Sequence, residues 1–111
     1  MKHSSFDSLA SQLEEVGIKK SNMFGMPVLK LGKKPICGLE SDGINFKLPV
    51  DSPKYDEALG LEGAHLFQPI MKSGKTMTMK QWIVVPFAFE ELYFSFAEAS
   101  IRFVEADVAG N

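Results

Sequence analysis

Residues 22–48 read NMFGMPVLKLGKKPICGLESDGINFKL, from Asn22 to Leu48. This stretch decides the fold. Met23 to Leu31 is an apolar run whose only charge is Lys30. Gly32-Lys33-Lys34 interrupts it, and Pro35 then suits the first position of a strand, where its missing N–H does no harm. Ile36-Cys37-Gly38-Leu39 is a second run. Ser41-Asp42-Gly43 is a turn signal, because Asp tolerates the left-handed region and Gly enters it without steric cost. Ile44, Phe46 and Leu48 then alternate with Asn45 and Lys47, which is the period of a strand with one apolar and one polar face. Three strands this close in sequence pair antiparallel. A three-strand meander cannot cover its own apolar face, so helices must lie across it.

The chain has 111 residues, which predicts one domain over 1–111. Apolar residues make up 45% of it and nine are Phe, enough for a substantial core. A net charge of -2, from 12 basic and 14 acidic residues mixed along the chain, lacks the basic stripe of a nucleic-acid binder. Direct binding to nucleic acid is therefore not expected. Cys37 is the only cysteine and sits in an apolar run, so it reads as a buried, inert thiol. With no disulfide framework, no apolar leader and no membrane-length apolar run, the reading is a cytoplasmic protein with no membrane contact.

Before the meander, Phe6, Leu9, Ala10, Leu13 and Val16 fall on one helical face, and Gly17 suits the helix end. This predicts a helix over Ser5–Val16, with Lys19-Lys20 as a connector. After the meander, Ser52 before Pro53 is a helix start, and Gly60 stops the short helix. Residues 64–67 read as a short strand ended by Pro69. Residues 71–76 contain Gly-Lys-Thr but lack the earlier glycine of a phosphate loop; they read as a mobile turn. Met79–Val85, rich in β-branched and aromatic residues, is the strongest strand of the second half. Pro86 closes it and opens the last helix. In that helix Phe89, Leu92, Phe96, Ala99 and Phe103 make a stripe expected to face the sheet. Phe87, Phe94 and Ile101 recur on nearly the opposite side. That second stripe either packs on the first helix or the tail, or meets another chain. Residues 108–111 are expected to fray. The whole is an α+β, two-layer fold: an antiparallel sheet of about five strands, a meander plus two, with N- and C-terminal helices flanking it.

Several short motifs carry a family resemblance. They are Met23-Phe24-Gly25-Met26-Pro27, the Lys-Gly-Lys-type turn, Phe46-Lys47-Leu48-Pro49, and Met79-Lys80-Gln81-Trp82-Ile83 with a proline and helix after it. Over about Phe6–Val104 the chain resembles the N-terminal domain of the TfoX/Sxy competence-regulator family, with the YjbR-like group as second choice. The resemblance implies a two-layer α+β fold and a part in transcription regulation. Full-length members of that family carry a further helical domain after this one, which the chain to Asn111 does not include. The family has no established catalytic residues, so none is carried over.

No nucleophile with a base, no metal-ligand cluster and no cofactor site can be read from the residues, so catalysis is not expected. His65 is flanked by apolar residues and reads as structural. Two functions remain. The first is a non-enzymatic regulatory or protein-interaction module, working through Phe87, Phe94 and Ile101 with a protein partner or as a homodimer. The second is a small-anion or small-ligand site, in which Lys47 and Lys80 converge beside Trp82.

Overall fold

Four strands, not three, come out of the chain up to Lys47. In the computed structural model, which describes residues 3–23, 25–70 and 73–109, helix α1 (His3–Leu13) leads into β1 (Ile18–Met23), β2 (Met26–Leu31), β3 (Lys34–Leu39) and β4 (Gly43–Lys47). Then follow α2 (Pro53–Leu59), β5 (His65–Phe67), β6 (Met79–Pro86) and α3 (Tyr93–Ala109). The apolar run from Met23 is split at Gly25, whose φ of 74° turns the chain so that Met23 faces Met26. Lys19-Lys20 is therefore not a connector. It lies on β1, an edge strand, where exposed lysines discourage pairing with another chain.

The six strands form one sheet in the order β1-β2-β3-β4-β6-β5, antiparallel throughout. β4 and β6 pair inside it, from Ile44 opposite Val85 to Lys47 opposite Trp82. Trp82, Ile83, Val84 and Val85 are all buried, so β6 is covered on both faces. The fold class is the α+β arrangement read from the sequence, with β1 as the additional strand.

The helices cover one face. Phe6, Leu9, Ala10 and Leu13 of α1 reach the core as their spacing predicts. Val16 does not and is 56% exposed. The helix tightens to a 3-10 turn over Glu14–Val16, and Gly17 at φ 87° reverses the chain, which carries Val16 off the apolar face. In α3 the buried residues are Tyr93, Phe96, Ala97, Ser100 and Val104, at i, i+3, i+4, i+7 and i+11. The predicted stripe is therefore displaced, and Phe89, Leu92 and Ala99 only pack partly against the core. The cause is local: Phe87–Leu92 is a 3-10 segment with a break at Phe89, so α-helical phase begins at Tyr93. Phe46 anchors this layer, its ring centroid 5.4 Å from Tyr93 and 5.7 Å from Phe96. α2 starts at the Ser52 cap, whose hydroxyl accepts from the Tyr55 N–H at 3.2 Å, and Tyr55 donates its own hydroxyl to the Lys80 carbonyl at 2.7 Å. α3 extends to Ala109, past the expected point of fraying; residues 110–111 lie outside the described residues, as do Phe24, Met71 and Lys72.

The outer face of the sheet is not simply polar. Phe67, Trp82 and Val84 are buried there, with Met26 and Met79 packed against them.

Gly43 also differs from its sequence reading. Its φ is not positive, so left-handed freedom is not what it supplies. A Cβ there would lie 2.1 Å from the Val85 oxygen, so only glycine lets β4 approach β6 so closely. We expect Gly43→Ala to cost about 3 kcal/mol or more, because backbone must move where β4 meets β6. Gly17→Ala, with nothing within 4 Å of its Cβ, should cost only about 1 kcal/mol through its positive φ. Urea unfolding of the two variants checks the order.

Candidate functional site

Three groups of residues compete for a functional role. The first is the outer side of α1 and α3. Because Phe87 belongs to the 3-10 segment, the seven-residue repeat of Phe87, Phe94 and Ile101 does not form one continuous stripe. Phe87 and Ile101 turn partly inward and pack against the core, while Phe94 stays 41% exposed. Phe94 and Ile101 share a groove of about 230 Å³ with Leu13 and Val16, rimmed by Glu98, Arg102 and Glu105. Phe94 also borders a polar groove of about 370 Å³ lined by Ser4, Ser5, Ser8 and Glu90. There the Ser5 hydroxyl donates to the Glu90 carboxylate and ties α1 to the segment before α3. The 3-10 turn that expelled Val16 thus leaves it beside the outward Phe94 at one groove.

The second group is Lys47, Lys80 and Trp82. Lys47 and Trp82 are opposite one another on β4 and β6. The Lys47 ammonium lies 5.8 Å from the centroid of the Phe103 ring on α3, a cation–π distance. Lys80 is exposed, two residues before Trp82 on β6. Trp82 itself is 5% exposed and packs with Phe67 and Val84. Among the described residues neither lysine forms an ion pair.

The third group escapes sequence reasoning. Asn45 is fully buried on the outer face of β4, in a cross-strand row with Gly38 of β3, Val84 of β6 and His65 of β5. Its Nδ2 donates to Glu40 Oε2 at 2.7 Å and lies 3.8 Å from Met26 Sδ. Its Oδ1 is buried with no hydrogen-bond partner. Gly38 makes the room, since a Cβ there would meet Met26 Cε at 2.8 Å and Asn45 Oδ1 at 3.1 Å. Nearby, His65 Nε2 meets Asp42 Oδ2 at 2.7 Å, and Nδ1 lies 3.0 Å from the Leu66 carbonyl. Both ring nitrogens face acceptors, so the doubly protonated imidazolium satisfies both. The Asp42 hydrogen bond raises the His65 pKa against an opposing effect of burial. Burial raises that of Glu40, and the Asn45 hydrogen bond opposes it. Asp42 lies 23 positions before His65, and only the strand order, which sets β6 between β4 and β5, brings them together. The alternation in the sequence set Asn45 with Lys47 on the polar face, so only the Gly seven residues before it marked the site.

The Cys37 thiol is buried in the core, and desolvation pushes its pKa far up. Burial likewise raises that of Tyr93, whose hydroxyl donates to the Val85 carbonyl at 2.8 Å. Among the described residues no three His, Cys, Asp or Glu side chains are grouped to hold a metal ion, and no helix is long and apolar enough to cross a membrane. Comparisons with protein-family models, with curated proteins and with solved structures return no match.

A raised His65 pKa fixes the sign of a pH effect. Its contribution to stability is complete below the ordinary imidazole value of about 6.5 and is lost as pH rises through the folded value. With the pair half exposed, the contribution should be only a few tenths of a kcal/mol. A proton NMR titration should place the His65 midpoint above the ordinary value, and Asp42→Asn should bring it back down. A wild-type midpoint at or below that value contradicts the assignment.

Proposed function

We propose that this protein is a non-enzymatic regulatory or protein-interaction module, as its resemblance to the TfoX/Sxy N-terminal domain implies, and that it engages its partner through the outer side of α1 and α3. The observation that carries this reading is the joint exposure of Val16 and Phe94 beside one groove, 56% and 41%. Val16 falls in the apolar pattern of α1 that would otherwise bury it, and Phe94 lies on the side of α3 turned away from the sheet. A large ring left half in water is favourable to cover, at about 1.5–3 kcal/mol for full burial.

The partner this reading takes is a second copy, on the strength of the apolar patch. Arg102 is the single basic residue of α3 and stands between Glu98 and Glu105, while Glu90 and Glu91 lie at the other end of the same side. An antiparallel two-fold pairing of α3 lays each Phe94 on the other copy's Ile101; the same register sets Arg102 opposite Tyr93 and Glu105 opposite Glu90, so the apolar contact and not charge must hold it. The apolar patch is small beside the roughly 800 Å² per partner of a standard interface, so the association should be weak. Sedimentation velocity should show a reversible dimer with a Kd on the order of 10–100 µM. Phe94→Ser should weaken it about tenfold. A monomer at every concentration in that range, indifferent to Phe94→Ser, contradicts self-association.

Anion binding at Lys47 and Lys80 is the second reading, supported by the absence of an ion-pair partner for either lysine among the described residues. Isothermal titration with inorganic phosphate should then lose its signal in both Lys47→Ala and Lys80→Ala. Equal affinity in wild type and both variants ends that reading.

A further inference from the structure

We infer that Glu40 and Asn45 form a proton-dependent lock on the turn between β3 and β4, in which the neutral Glu40 carboxyl closes a two-bond acid–amide pair with the Asn45 side chain. One bond of the pair is present: Asn45 Nδ2 donates to Glu40 Oε2 at 2.7 Å. The other would satisfy the buried Asn45 Oδ1, which accepts from no donor. A buried acceptor left unpaired costs about 1–3 kcal/mol, and no apolar neighbour can relieve it. Around Asn45 stand the Met26 thioether, the Gly38 backbone and the Val84 side chain, none of which offers a side-chain N–H or O–H. An ionised Glu40 has only acceptors and makes one bond to the amide. A neutral Glu40 has both an acceptor and an O–H donor, and an amide presents the complementary pair. The proton comes from solvent, and the half-buried Glu40 is open enough to exchange it.

The surroundings bias Glu40 in the same direction. Desolvation favours its neutral form, and the Asp42 carboxylate on the same turn adds to that. His65 on β5 opposes it, as does the existing bond from Asn45. The groups presented by β2, β4 and β6, Met26, Asn45 and Val84, carry no charge. On the helical side Tyr93 is neutral and occupied with the Val85 carbonyl.

The turn is a junction, so a lock on it has reach. Asp42 binds His65 of the edge strand β5 through its carboxylate. Its carbonyl accepts from the Phe87 N–H at 3.4 Å, where the chain leaves β6 for α3. β5 has three residues and pairs only with β6, so it depends on such side contacts. Glu40 and His65 act with the same sign. For each, stabilisation is complete below the ordinary value and is lost as pH rises through the raised folded value. Acid therefore tightens the turn and β5 together, and the approach to neutral pH loosens them.

Carbon-13 NMR of the Glu40 carboxyl against pH, with hydrogen exchange of the residue 40–43 and β5 amides, tests the lock. Glu40 should titrate above the ordinary glutamate value. Corrected for intrinsic rates, protection of these amides should fall about threefold between about pH 4 and pH 7 in a His65→Asn background, which removes the titration of the histidine. Glu40→Gln in that background places an N–H where the acid proton would sit, so its protection should stay at the acid level at both pH values. Glu40→Ala should be low at both. A Glu40 midpoint at or below the ordinary value overturns the proposal, as does a Glu40→Gln protein no better protected than Glu40→Ala. The wild-type titration decides the matter even if a variant fails to fold.

Discussion

The close pairing of β4 with β6 is the constraint on which the remaining structure depends. It joins the two halves of the chain, the meander built from 18–47 and the segment from β5 onward. Its core side carries Ile44, Phe46, Ile83 and Val85, all fully buried. Each such side chain is worth about 1.5–3 kcal/mol of transfer free energy, before the entropy of ordering is set against it. The pairing can close only because Gly43 presents no Cβ to the Val85 carbonyl. Phe46 then sets the height at which Tyr93 and Phe96 settle, and hence which side of α3 is left outward.

The same geometry accounts for both surface features of interest. The two 3-10 segments, Glu14–Val16 and Phe87–Leu92, sit where helices meet the edges of the sheet. Each changes the rotation per residue from about 100° to about 120°, so an apolar residue placed by α-helical spacing ends elsewhere. Val16 is left outside for this reason, and with the outward Phe94 it frames the groove assigned to partner contact. On the opposite face, the row Gly38–Asn45–Val84–His65 runs across four strands. It places a buried amide beside a carboxyl, and a histidine within reach of an aspartate.

The sequence made the sheet legible because its central strands are unambiguous. Alternation from Ile44 to Leu48 and the β-branched run ending at Val85 state their own period. The short helix α2 was equally clear, since Ser52-Pro53 is a chemical start signal that the Ser52 hydroxyl fulfils. β1 was hidden, because its hairpin turn lies inside an apolar run and its two lysines resemble a connector. The phase of α3 was hidden as well, since nothing in Phe87–Leu92 announces a 3-10 turn by composition. Asp42 and His65 were unreadable as a pair, because their contact depends on β6 being inserted between β4 and β5 after the intervening chain has gone out and back. A local pattern can carry spacing within an element, but it cannot carry the order of elements in a sheet.

Residue-resolved hydrogen exchange under native conditions tests the central pairing most directly. The amides bonded between β4 and β6 should exchange only through global unfolding and be the slowest in the protein, with β1 and β5 opening earlier as edges. Exchange of the β4 and β6 amides as fast as those of the edge strands would contradict the account.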